Sequence, residues 1–157
     1  MDWVGWAVFG LVSTVALTGI MTLGQMTGRS RMDLPFMLGV GFVEDPDHAR
    51  AIGSIIHLVN GQIFALMYAA AFSLLGVAAW WLGAFFGLCH GLAAFAVIVP
   101  LLAGVNPRIA SDRAPLGTRA VLEPPGFLGL RYGTATPAIG VLAHVVYGAM
   151  LGALLHP

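Results

Sequence analysis

Residues 51–107 read AIGSIIHLVNGQIFALMYAAAFSLLGVAAWWLGAFFGLCHGLAAFAVIVPLLAGVNP, and no Asp, Glu, Lys or Arg interrupts them. A membrane span takes about 20 apolar residues, so this stretch is too long for one helix and long enough for two. Continuous apolar runs in lipid must satisfy their own backbone hydrogen bonds, which makes them helices. A barrel strand pattern would instead alternate in segments of about ten residues.

Working outward from this stretch gives four spans. They run from Trp3 to Leu23, Ala51 to Leu75, Trp80 to Leu102 and Pro137 to Leu155, separated by loops 24–50 and 103–136 and the short turn near Gly76. The expected fold is all-α, an integral membrane four-helix bundle forming one transmembrane domain over residues 1–157. Composition agrees. The chain is 59% hydrophobic and 9% charged, against about 25% charged residues in a soluble domain. Such a chain cannot cover its surface in water, and it is the opposite of a disordered one. Its net charge is zero and it has no basic block, so no nucleic-acid partner is expected. The expected partner is the lipid bilayer, with self-association or a larger membrane complex as further options.

The arginines set the direction. All seven basic residues are Arg: Arg29, Arg31 and Arg50 lie between spans 1 and 2, and Arg108, Arg113, Arg119 and Arg131 between spans 3 and 4. The positive-inside rule places both loops in the cytoplasm and both termini outside, in a bacterial inner membrane. Trp3, Trp6, Trp80 and Trp81 fall at the outer ends of spans 1 and 3, as an interfacial belt would. The first span is not expected to be a cleavable signal: its apolar run is long, Asp2 stands where positive charge belongs, and no small-residue cleavage site follows. Cys89 is a lone cysteine within span 3 and is expected to serve as a small packing residue.

The two halves resemble each other. Phe9-Gly10-Leu11 matches Phe86-Gly87-Leu88. Asp33-Leu34-Pro35-Phe36-Met37-Leu38-Gly39 matches Glu123-Pro124-Pro125-Gly126-Phe127-Leu128-Gly129 as acid-x-Pro-x-x-Leu-Gly. His57-Leu58-Val59-Asn60-Gly61 matches His144-Val145-Val146-Tyr147-Gly148 as His-x-Val-x-Gly. The order points to a duplicated two-span hairpin with a pseudo-twofold axis along the membrane normal. His57 and His144 then lie about 9–10 Å deep on the cytoplasmic side, and His90 about 15 Å deep, near mid-membrane.

Residues four apart share a helix face. His57 therefore stands between Gly53 and Gly61, and His144 between Gly140 and Gly148. Glycines at this spacing let helices approach closely, so spans 2 and 4 are expected to meet one another, or spans 3 and 1, along these stripes. Asn60 and Tyr147 follow the histidines by three residues and could bond near them. Ionisable groups inside a span are functional hypotheses by default. Two imidazoles at one depth, with Asp33 and Glu123 folding back, would suit zinc, iron or manganese. The leading expectation is thus a ligand, first of all a metal ion, at a His57–His144 centre with Asp33 and Glu123 as further ligands. Haem b is the other cofactor weighed, since paired histidines can ligate its iron. The bland alternative makes the histidines interhelical hydrogen-bond glue in a structural or accessory subunit, and each acid a helix cap or an arginine partner. A proton or small-solute transporter using His57, His90 and His144 is the third reading. No nucleophile elbow, phosphate loop, paired-Cys motif or zinc-protease helix is present. Whether the chain is an enzyme is left open.

His57-x-x-Asn60-Gly61-x-x-Phe64-Ala65-x-x-Tyr68, Trp81-x-Gly83-x-x-x-Gly87 leading to Pro100-Leu101-Leu102-x-Gly104, and His144-x-x-Tyr147-Gly148 together resemble the small four-span inner-membrane proteins of bacteria. The likeness spans most of residues 50–155. It implies the four-span fold, and that family carries no established activity that would add a mechanism.

Overall fold

The computed structural model describes residues 2–110 and 120–156; Arg113 and Arg119 lie outside the described residues. Among the described residues six α-helices form: α1 (Trp3–Met26), α2 (Leu34–Gly39), α3 (Pro46–Leu75), α4 (Trp80–Ala93), α5 (Val99–Val105) and α6 (Thr136–Leu154). A π-helical turn, Ala94–Ile98, joins α4 to α5, and a 3-10 segment, Phe127–Tyr132, precedes α6. Four helical stretches are long and apolar enough to cross a membrane: Trp3–Met26, Pro46–Leu75, Trp80–Val105 and Thr136–Leu154. Large apolar side chains on them face outward, among them Val15, Ile55, Val59, Ile63 and Leu142. An apolar exterior this continuous suits lipid.

Local chemistry explains where the helices begin and end. Asp2 caps α1 by accepting from the Gly5 N–H at 2.9 Å, and Asp33 caps α2 by accepting from the Phe36 N–H at 2.9 Å. Asp45 caps α3 through the His48 N–H, with Pro46 at the first helical position. That bond holds the Asp45 carboxyl below the ordinary carboxylate range. Gly76, at φ 67°, ends α3 in the left-handed conformation and opens the short turn into α4. The third long helix cannot run regularly throughout. Pro100 has no N–H for the Ala96 carbonyl and its ring needs room there. The preceding turn widens, and the Val99 N–H reaches back to the Ala94 carbonyl.

Packing is tightest between α4 and α6. A Cβ on Gly83 would collide with the Gly148 carbonyl, and one on Gly148 with the Gly83 carbonyl, so the two backbones lie in direct contact. The glycines of α3 serve other neighbours: Gly53 receives the Pro35 carbonyl of α2, and Gly61 receives Thr14 of α1. Of the two expected pairings, spans 2 and 4 do not meet one another along their stripes; they meet spans 1 and 3 instead, α6 lying on α4, and α3 on α1 and α2. The backbones of α3 and α4 scarcely approach each other; rings bridge the gap instead, with Tyr68 against Phe86 at 5.9 Å and Phe64 against His90 at 3.9 Å. The halves therefore share an element order of span, short helix and span, but they do not pack alike. Cys89 is exposed rather than packed inside.

Both arginine-bearing loops sit at one end and grip each other. Arg31 pairs with Glu123 at 2.6 Å, and its N–H groups also reach the Arg131 carbonyl. Arg108 donates to the Val40 carbonyl at 2.7 Å and pairs with Glu44 at 3.2 Å. Ser30 and Thr136 bond through their hydroxyls at 2.9 Å. The Tyr132 hydroxyl donates to the Glu123 carbonyl at 2.6 Å.

Candidate functional site

α3, α4 and α6 each carry one histidine into the wall of a single cavity of about 220 Å³. His57, His90 and His144 line it together with Asn60, Tyr147 and Thr14; Leu17, Met21, Phe64, Phe95 and Ile98 supply apolar wall. The π turn places Ala94, Phe95 and Ile98 on this wall, and such turns recur at functional sites. Among the described residues, no Asp, Glu, Lys or Arg lines the cavity.

The three rings are held differently. His144 is buried, and its Nδ1 lies 2.7 Å from the Gly140 carbonyl one turn back. A carbonyl only accepts, so Nδ1 carries the proton, and in the uncharged ring Nε2 keeps its lone pair. His90 meets His144 edge to face at 4.7 Å and lies tilted against Phe64 at 3.9 Å. The Tyr68 hydroxyl is 3.4 Å from His90 Nδ1. His57 differs from both, because its Nε2 is buried without a hydrogen-bond partner. An unsatisfied buried polar group costs about 1–3 kcal/mol.

Tyr147 and Asn60 remain with the histidines on the wall, and Tyr147 has a structural bond as well. Its buried hydroxyl donates to the Gly61 carbonyl at 2.6 Å, tying α6 to α3. Tyr147 thus ties α6 to α3, and His90 meets Tyr68 of α3 across the helices, whereas the His144 bond stays within its own helix. Asp33 and Glu123 are elsewhere. Asp33 caps α2 and pairs with Arg50 at 2.8 Å, Glu123 pairs with Arg31, and neither lines the cavity. Among the described residues, no group of three or more His, Cys, Asp or Glu is gathered to hold a metal ion. His90, which has no counterpart in the sequence repeat, is the ring that touches His144. Of the packing glycines, Gly140 leaves room for the Phe95 ring, while Gly53, Gly61 and Gly148 seat neighbouring helices.

Sequence reasoning passed over Phe64, Tyr68 and Phe95 as site residues. For the first two a signal existed: His57, Gly61, Phe64 and Tyr68 follow the i, i+4, i+7, i+11 pattern of one helix face. Phe95 reaches the site through the π turn, which the sequence shows only by way of Pro100.

The chain matches no family model, no curated protein and no solved structure. The resemblance to four-span bacterial membrane proteins therefore rests on the quoted motifs alone.

Proposed function

We propose that this chain is a small polytopic membrane protein that binds an uncharged small molecule in the intramembrane cavity of His57, His90 and His144. One observation carries the reading: three helices each bring an imidazole to the wall of one cavity, and the Nε2 of His57 is buried with no partner. Polar groups within a membrane are costly to keep without a use. The carboxylates that would complete a metal centre are engaged with Arg50 and Arg31, which favours a neutral hydrogen-bonding ligand over an ion. Asn60 adds a further amide at the wall. The gathered arginine loops favour an orientation with that end in the cytoplasm of a bacterial inner membrane and both termini outside.

The test is extraction of purified protein followed by mass spectrometry of small molecules and elemental analysis. An uncharged compound should accompany the wild type and be lost from the His57→Leu/His90→Leu variant. Equal content in the two proteins, or a stoichiometric metal in their place, would overturn the reading.

A further inference from the structure

Tyr68 stands behind the cavity wall. It is buried and shares a face of α3 with His57, Gly61 and Phe64, yet it does not line the cavity itself. Three aromatic neighbours meet its ring nearly at right angles: Phe72 at 6.2 Å, Phe86 at 5.9 Å and Tyr147 at 5.6 Å. Such edge-to-face contacts favour one orientation of the ring. In that orientation its hydroxyl lies 3.4 Å from Nδ1 of His90, and His90 does line the cavity. Phe64, one turn before Tyr68, lies tilted against the same imidazole at 3.9 Å.

Resting on the reading above, we infer that Tyr68 is a positioning residue of the histidine site: its hydroxyl donates to His90 Nδ1 and so holds the His90 proton on Nε2. A buried hydroxyl proton needs an acceptor. Among the described residues, His90 Nδ1 is the one hydrogen-bond partner of the Tyr68 hydroxyl. Nδ1 accepts through its lone pair, so in the uncharged ring the proton sits on Nε2. His144 is set the other way: its Nδ1 donates to the Gly140 carbonyl and its Nε2 keeps the lone pair. The two touching rings thus carry their protons on opposite nitrogens. His144 takes its tautomer from its own helix, whereas His90 takes it from α3. Tyr68 therefore couples the protonation pattern of the pair to the placement of α3 against α4.

Nitrogen NMR tests this on the full-length protein in detergent, with its histidines isotopically labelled and the rings uncharged. Proton–nitrogen correlations separate an N–H nitrogen from one with a lone pair, and His57→Gln, His90→Gln and His144→Gln assign the signals. In wild type, His90 should carry its proton on Nε2 and His144 on Nδ1. Tyr68→Phe keeps the ring and removes the hydroxyl; it should leave His90 divided between its two tautomers and His144 as in wild type. A wild-type His90 protonated on Nδ1, or an unchanged His90 pattern in Tyr68→Phe, would overturn the inference. A His144 pattern that changes together with that of His90 would show a general loss of packing and would overturn it too. The readout needs no bound compound. The expected pattern with no co-purifying compound in wild type would sink the cavity reading and keep the Tyr68–His90 bond. The opposite pattern, with a compound retained in a histidine-dependent manner, would keep the cavity reading and sink the role of Tyr68.

Discussion

His90 and His144 meet edge to face, their ring centroids 4.7 Å apart and their planes 75° from parallel. They come from helices whose backbones touch through Gly83 and Gly148, so the close approach of α4 and α6 sets how the two imidazoles stand. His57 enters the same cavity from α3, which meets α4 through rings. The site thus has one rigid wall and one wall of side chains.

The rigid wall makes a first prediction. Gly148→Leu places a branched side chain where the Gly83 carbonyl lies. Overpacking costs about 1–3 kcal/mol, occasionally more. The variant should melt well below wild type in detergent, and an unchanged melting temperature would show that α4 and α6 are not in backbone contact.

Tyr147→Phe removes the bond from α6 to the Gly61 carbonyl. Interhelical hydrogen bonds in membranes average about 0.6 kcal/mol and reach about 1.7. A loss of stability within that span is expected from equilibrium unfolding in detergent. No loss at all would remove Tyr147 from its tying role.

Tyr132 offers a pH readout at the loop end. Burial first, and the neighbouring Glu123 carboxylate second, push its hydroxyl up to about 12. The folded protein therefore holds this proton at pH values where the unfolded chain has released it. Its contribution to stability is complete below about pH 10, the ordinary tyrosine value, and is lost as pH rises through about 12. A difference titration by ultraviolet absorbance, wild type against Tyr132→Phe, should place the ionisation near 12; an ordinary value near 10 would mean that the hydroxyl is not buried beside the Glu123 carboxylate.

Orientation is tested by reporters. With both arginine loops in the cytoplasm, a C-terminal fusion should be active only on the outer side, and one inserted in the loop 24–50 only inside. The reverse pattern would invert the assignment.

Much of this architecture is legible in the sequence because apolar length and charge are local properties. Trp3 and Trp80 begin their helices as read, and Leu75 ends its own before Gly76. The third helix starts earlier than its apolar run, at Pro46, because Asp45 and Pro46 build a cap on polar residues. Asp33 and Glu123 show the limit of pattern matching. Their shared acid-x-Pro spacing is real, yet arginines in the loops claim both carboxylates. His90 shows the limit of depth arithmetic. Counting residues gives a level in the membrane and says nothing of rotation about the bundle, which is fixed by the glycine contacts of α4 with α6. The π turn depends on how Pro100 is accommodated, a choice made by the surrounding helices.

The most direct measurement takes His57→Leu and determines its melting temperature and its small-molecule content together. The imidazole Nε2 is buried without a partner, so replacing it with an apolar group of similar size removes a cost to folding. The ligand-free variant should melt at or above the temperature of ligand-free wild type and should carry none of the compound that wild type retains. A variant that melts lower and keeps the same compound in the same amount would contradict the account.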